Sequence, residues 1–208
     1  MTTPAEEKHL VKKLVVVSDI CSSTAILEDL LRTENQKRWR NLLIGLKDFL
    51  RDERDTHGFI MYKFIGDGWV LLFDEDFSSV KLFGLFTRLC KEYDSLYKRY
   101  IKPVLSTVVE PVGITFGLDR GTLMKVMMDG TTEYIGRPLN VAARLQGAIK
   151  DKDQNPHGKV LMSKNAYADI RDAIKDRYHV IEVPRELRNI AGGDNYRAKK
   201  LCLFERPK

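Results

Sequence analysis

The chain is poor in features that would commit it to a membrane, a nucleic acid or an oxidising compartment. No apolar stretch approaches the roughly 18–20 residues that a membrane-spanning helix needs. The start, Met1-Thr2-Thr3-Pro4-Ala5-Glu6-Glu7, carries acid and lacks the basic start and apolar run of a secretory signal. These absences predict a soluble, cytoplasmic protein without a membrane partner. There are only three cysteines, Cys21, Cys90 and Cys202, with no Cys-x-x-Cys spacing and no even-numbered framework. Free buried thiols in a reducing compartment are expected. Lys and Arg form no run longer than pairs such as Lys12-Lys13 and Lys199-Lys200. The net charge of +6 therefore reads as dispersed surface, 35 basic residues set against 29 acidic ones. No basic stripe marks a nucleic-acid partner. There is no internal repeat and no linker, so a single domain over 1–208 is expected, with its core at about 14–148.

What is present is patterned for a mixed fold. Leu14-Val15-Val16-Val17-Ser18 is a short, β-branched, continuously apolar run, as in a fully buried strand. Ser22-Ser23-Thr24 offers an N-cap. From Ala25 to about Arg54 the leucines recur at helical spacing, with a bend or break expected near Thr33-Glu34. After His57-Gly58, the runs Phe59 to Phe64 and Trp69 to Phe73 read as strands around the tight turn Gly66-Asp67-Gly68. A second long helix is expected from Ser79 to about Ile101. Gly113 to Leu118 and Thr122 to Met128 read as two strands around Asp119-Arg120-Gly121, and Gly130-Thr131-Thr132 as a loop. Helices are expected over Pro138 to Ile149 and Lys164 to about Ile174. Strands are expected at Val160 to Met162, Tyr178–Val183 and Lys200–Phe204. The order strand, long helix, hairpin, long helix, strand predicts an α+β fold. Its form would be a ferredoxin-like split βαβ arrangement, with a central, mostly antiparallel sheet and helices on one face.

Two acids stand out. Asp19 directly follows the first buried strand, where a carboxylate is costly unless it is solvated, paired or bound to a metal. Taken alone it reads equally well as an N-cap or turn residue, and Gly66-Asp67-Gly68 taken alone is a common turn. In a split βαβ fold, however, the first strand lies beside the central hairpin, so both acids fall at one edge. Two carboxylates there can share two hard cations, which prefer oxygen ligands. A metal pair of that kind suits in-line displacement at phosphorus. The turn Ile20-Cys21-Ser22-Ser23-Thr24 enters a helix whose N–H groups and dipole suit a triphosphate. Asn140 and Arg144, four residues apart, share one helix face. They read either as a solvent-facing polar stripe or as part of a site.

Four stretches resemble the class III adenylate/guanylate cyclase catalytic domain, over about Leu14 to Ala148. They are Val17-Ser18-Asp19-Ile20 with Ser23-Thr24; Tyr62-Lys63-Phe64-Ile65-Gly66-Asp67-Gly68; the run Gly113 to Gly121; and the run Tyr134 to Leu145. The resemblance implies roles. Asp19, Asp67 and the Ile20 carbonyl would hold two divalent cations, Mg²⁺ or Mn²⁺. Asn140 would orient the ribose, and Arg144 would stabilise charge developing on the phosphate. Ser23 and Thr24 would line the triphosphate, and Lys63 and Glu133 would read the base. Metal acids and the Asn/Arg pair come from opposite protomers in that family, so a homodimer with interfacial active sites is implied.

Two departures narrow the resemblance. The family's phosphate-contacting lysine has no counterpart in Asn189-Ile190-Ala191-Gly192-Gly193-Asp194-Asn195-Tyr196-Arg197, although Arg197, Lys199 or Lys200 could substitute. Phe59, Met61, Tyr62, Phe64, Trp69 and Tyr134 crowd the expected base pocket, either as core packing or as walls favouring a small base. In these respects the chain is similar to the pyrimidine (uridylate) cyclases of bacterial Pycsar anti-phage systems. That similarity implies UTP as substrate, cyclic UMP as product and a separate effector that reads it. An adenylate cyclase using Lys63 and Glu133, or an inactive nucleotide-binding cyclase homology domain, are the alternatives. Neither a GGDEF-like hairpin nor a basic stripe supports a polymerase-like enzyme.

Overall fold

A computed structural model of the chain describes residues 9–150 and 153–205. The acidic start read above as lacking a secretory signal lies outside the described residues. The elements run β1 (Leu10–Cys21), α1 (Ser23–Arg32), α2 (Gln36–His57), β2 (Ile60–Phe64), β3 (Gly68–Asp74), α3 (Ser79–Leu96) and β4 (Gly113–Met128). There follow β5 (Thr131–Ile135), α4 (Arg137–Lys150), β6 (Lys159–Met162), α5 (Lys164–Ile174), β7 (Ile181–Arg185) and β8 (Tyr196–Cys202). Among the described residues no helix is long and apolar enough to cross a membrane.

The sheet order is β2-β3-β1-β4-β6-β8-β7, with β5 paired to β4. The first four strands in that order are the split βαβ arrangement. Every ladder is antiparallel except β4 with β6. The α+β fold with a mostly antiparallel sheet is therefore present as expected. The alternation of β1 explains how it is covered. Leu14, Val16 and Ile20 face one core with α1, α2, α3 and α5, including Leu30, Leu46, Phe86 and Ile170. Val15 and Val17 face the other side, against Val70, Leu72, Leu123 and Ala142 of α4. Helices thus lie on both faces, not one, because α4 crosses to the side the other helices leave open.

Several boundaries differ from the sequence reading, each for a physical reason. β1 runs to Cys21, two residues beyond Asp19 where the β3 ladder ends, because β4 keeps pairing with it as far as Gly113. The turn comes at Ser22, whose φ of 55° ends the extended backbone, and its hydroxyl donates to the Pro111 carbonyl at 2.7 Å instead of capping α1. The helical stretch breaks at Glu34, where φ is 59°. Helix α3 stops at Leu96 and continues as a π-helical turn over Tyr97–Ile101. Asp119-Arg120-Gly121 is not a turn. β1 pairs straight through it, with Val15 opposite Asp119 and Lys13 opposite Gly121, so β4 is one strand of 16 residues. The real turn is Asp129-Gly130, with φ values of 49° and 73°, and it makes Thr131–Ile135 a strand that takes in Thr131 and Thr132, which were expected in a loop. Cys21 and Cys90 are buried, Cys202 is half-buried, and all three are free thiols.

Candidate functional site

The Gly-Asp-Gly turn is shaped by its two glycines differently. Gly66 has a φ of 96°, in the left-handed region that favours glycine. Gly68 is needed for space, since a Cβ there would stand 2.0 Å from the Ser18 carbonyl oxygen and 3.0 Å from the Asp19 Cα. The hairpin is closed by the Ile65 N–H donating to the Gly68 carbonyl at 3.0 Å. Without side chains in the way, β3 lies flush on β1 and Gly68 sits directly opposite Asp19. The next residue back along the chain is Asp67. The structure therefore brings Asp19 and Asp67 to one edge of the sheet.

Each carboxylate accepts a hydrogen bond from a neutral donor. Ser23 donates its hydroxyl to Asp67 Oδ2, which ties the hairpin tip to the first turn of α1. Gln146 of α4 donates to Asp19 Oδ2 at 3.3 Å and to Thr115 Oγ1 at 2.9 Å. Asp19 is 9% exposed, while Asp67 is only half-buried. Ile20 continues β1 with its side chain wholly in the core, so only its backbone can serve the site. Thr24 is exposed at the start of α1, where the first intrahelical bond is Ile26 N–H to the Ser22 carbonyl. The N–H groups of Ser23, Thr24 and Ala25 precede that bond and have no acceptor within the helix. Among the described residues no three His, Cys, Asp or Glu side chains cluster as a metal site. A cation here would rest on two carboxylates, a backbone carbonyl and oxygens of a bound substrate. That all-oxygen set fits Mg²⁺ or Mn²⁺.

Lys63 and Glu133 also meet. The Lys63 ammonium lies 2.7 Å from Glu133 Oε2, and Tyr62 donates its phenol to the same oxygen. The Tyr134 N–H donates back to the Tyr62 oxygen at 3.0 Å, and the two tyrosine rings meet edge to face at 5.3 Å. The hydrogen bond from Lys63, then that from Tyr62, holds the Glu133 carboxyl below its usual range. The same contact raises the Lys63 ammonium above its ordinary value. Both groups remain charged through neutral pH. Sequence reading took Tyr62 as part of a crowded wall; it is in fact wired to the acid.

Asn140 and Arg144 are not brought to the two aspartates. Both are exposed on α4, on a stripe with Ala143 and Gly147. Gln146, two residues beyond Arg144, points into the sheet and touches Asp19. At about 100° per residue, Arg144 and Gln146 project about 160° apart around the helix. Arg144 instead lines a cleft of about 340 Å³ together with Gly147, Arg185, Glu186 and Arg188. Two of the expected lysine substitutes are engaged elsewhere. Lys199 binds Glu182 at 2.9 Å, and Lys200 binds Asp153 at 2.7 Å, on β8 with Arg197. Arg185 is also held by Asp153, at 3.1 Å. Arg188, which sequence reading passed over, is exposed in the loop between β7 and β8 and shares the cleft with Arg144.

Solved structures of similar overall architecture decide the fold. The adenylyl cyclase CyaB from P. aeruginosa is 20% identical, with a TM-score of 0.69 over 92% of this chain and 94% of that one. The fold is the cyclase fold. The guanylyl cyclase Cya2 matches it at 17% identity and TM-score 0.67, over 92% of each chain. The guanylate cyclase domain of RhGC from Catenaria anguillulae, solved in complex with GTP, matches at 16% identity and TM-score 0.56, over 95% of this chain and 98% of that one. None of these three cyclase-fold proteins is described as a pyrimidine cyclase. No family model matches the sequence, and no curated protein is similar to it in sequence.

Proposed function

We propose that this chain is a nucleotide cyclase that works as a homodimer, with UTP as its substrate and cyclic UMP and pyrophosphate as its products. The observation that carries the reading is the placement of Asp67 beside Asp19, at the mouth of the open first turn of α1. Two divalent cations, held by Asp19, Asp67 and the Ile20 carbonyl, would favour ionisation of the ribose 3′-hydroxyl and neutralise charge on the departing pyrophosphate. The new bond joins the 3′-oxygen to the α-phosphorus, and the bond from that phosphorus to the β-phosphate bridging oxygen breaks. The 3′-hydroxyl proton leaves to solvent. The N–H groups of Ser23 and Thr24 point their partial positive charge at the triphosphate.

Asn140 and Arg144 would complete the site from a second copy, Asn140 orienting the ribose and Arg144 gripping the phosphates with its planar fork. The apolar surface of the β4–β5 hairpin supports pairing of two copies. Met124, Met128 and Ile135 are 44–53% exposed there, and Leu10 stands opposite Met124 in the ladder. An apolar patch of this kind marks an interaction surface. Arg188 is the proposed replacement for the phosphate-contacting lysine of the resembled family. Arg188→Ala is expected to raise KM for the nucleotide about tenfold with a smaller change in kcat, since a binding contact to phosphate is removed. Steady-state kinetics at saturating Mn²⁺ measure the split.

For the base, the Tyr62 ring lies 5.0 Å from the Lys63 ammonium and packs edge to face on Tyr134, and bulk of this kind beside the Lys63–Glu133 pair would favour a single-ring base. Lys63 would donate to a uracil carbonyl. A second reading, ATP, is favoured by the ion pair itself, because a carboxylate acceptor beside a donor matches the amine and ring nitrogen of adenine. Incubation with each of the four NTPs and Mn²⁺, with the products resolved, is expected to give cyclic UMP. Cyclic AMP alone would remove the pyrimidine assignment, and no product from any nucleotide would remove the cyclase reading. In the same proposal the product is a second messenger for a separate effector, as in anti-phage signalling.

A further inference from the structure

We infer that Gln146 is a positioning residue for the cation site: it holds Asp19 ready for a cation without occupying it. The inference rests on the cyclase reading above. Three features of the structure lead to it. First, Gln146 is polar yet only 7% exposed, in the buried stripe of α4 between Ala142 and Ile149. A buried amide in an apolar stripe must be satisfied or it costs stability. Secondly, its amide nitrogen bridges two strands, donating to Thr115 on β4 at 2.9 Å and to Asp19 on β1 at 3.3 Å. Asp19 and Thr115 are themselves direct partners in the ladder. Thirdly, the helix is pressed onto β4 at this point. A Cβ on Gly117 would stand 2.0 Å from the Ala142 carbonyl oxygen and 2.4 Å from the Gln146 backbone nitrogen. Glycine at 117 is what lets α4 approach closely enough for Gln146 to reach across.

The choice of residue has a chemical logic. A Lys or Arg here would neutralise Asp19 and compete with a cation. A Glu would be a further acceptor. A neutral amide supplies a donor that orients the carboxylate and leaves its charge available. The bond to Thr115 is the shorter of the two and anchors the amide, while the bond to Asp19 at 3.3 Å lies just beyond the usual range and gives way readily. Partners of this kind, one step removed from the metal, typically change its affinity by about 10–100-fold when lost.

The test is direct Mn²⁺ titration by electron paramagnetic resonance, without nucleotide turnover, on the 208-residue chain and three variants. Gln146→Leu is expected to weaken Mn²⁺ about tenfold or more. Gln146→Glu is expected to tighten it, because the neutral amide becomes a further carboxylate beside Asp19 that attracts the cation. Shifts of opposite sign distinguish positioning of the site from a loss of packing, which would move both variants the same way. Asp19→Asn serves as the control. If the wild-type protein binds Mn²⁺ and Asp19→Asn does not, but both folded Gln146 variants stay within twofold of wild type or weaken together, the role of Gln146 is overturned while the cation site stands. If Asp19→Asn binds as well as wild type, the cation site and the role of Gln146 fail together. Should the leucine variant not fold, the glutamate variant alone carries the result, with unchanged or weakened Mn²⁺ binding overturning it.

Discussion

Asp67→Ala is expected to reduce cyclic nucleotide formation by about 10³-fold or more, equivalent to roughly 4 kcal/mol of transition-state stabilisation. The change should leave the fold in place. Asp67 is a half-buried residue at a hairpin tip, and the described bond from its side chain is the one accepted from Ser23. Losing one hydrogen bond at such a place costs about 1 kcal/mol. For a chain of this length that lowers Tm by only about 2–4 °C. Backbone geometry at the tip depends on Gly66 and Gly68, which the substitution does not touch. A large loss of turnover with a small shift in the melting curve therefore separates chemistry from stability. Turnover within tenfold of wild type would remove Asp67 from the mechanism.

The same local logic explains what the sequence made legible. The hairpin could be read because Gly-Asp-Gly between two apolar runs leaves few other structures open. The closeness of Asp19 and Asp67 could be read because strand order in a split βαβ unit forces β1 against the central hairpin. The long β4 could not be read, because Asp119-Arg120-Gly121 has turn chemistry. Pairing with β1 along the whole strand overrides that preference, at the cost of burying Asp119, whose carboxyl burial pushes above its usual range. The hairpin into β5 did carry a signal, Asp129-Gly130, the pair that the observed positive φ values at both positions demand. The adjoining threonines masked it.

The position of α4 was the larger omission. An amphipathic pattern says that a helix buries one stripe, not which face of a sheet receives it. The pattern of Val141, Ala142, Leu145, Ala148 and Ile149 is as compatible with one face as with the other. Only Gln146, a polar residue inside that stripe, hinted that the buried side of the helix meets a polar part of the sheet. Tyr62 was equally ambiguous. Crowding could be read from the sequence, but a phenol bonded to Glu133 requires β5 and β2 to be brought together, which no local pattern states.

The placement of α4 leads to the second large effect. The helix sets Gln146 against its own Asp19 and leaves Asn140 and Arg144 exposed on other parts of its surface, so in the proposed site the two halves over one nucleotide would come from different copies. Arg144→Ala should therefore be as inactive as Asp67→Ala, again with little effect on folding because Arg144 is exposed. Mixed in equal amounts and allowed to exchange subunits, the two inactive proteins should recover activity. Half of the dimers formed by random pairing carry both substitutions, one in each copy. In such a dimer both lesions fall on the same site and the other site is intact. The mixture should reach about a quarter of wild-type activity, since a closed two-fold dimer holds two equivalent sites. Neither protein alone should exceed about one part in a thousand. Recovery of that size requires that metal acids and arginine come from different copies. A mixture that exchanges subunits, as followed by a label on one partner, yet stays inactive would place all the catalytic groups within one chain and refute the interfacial site.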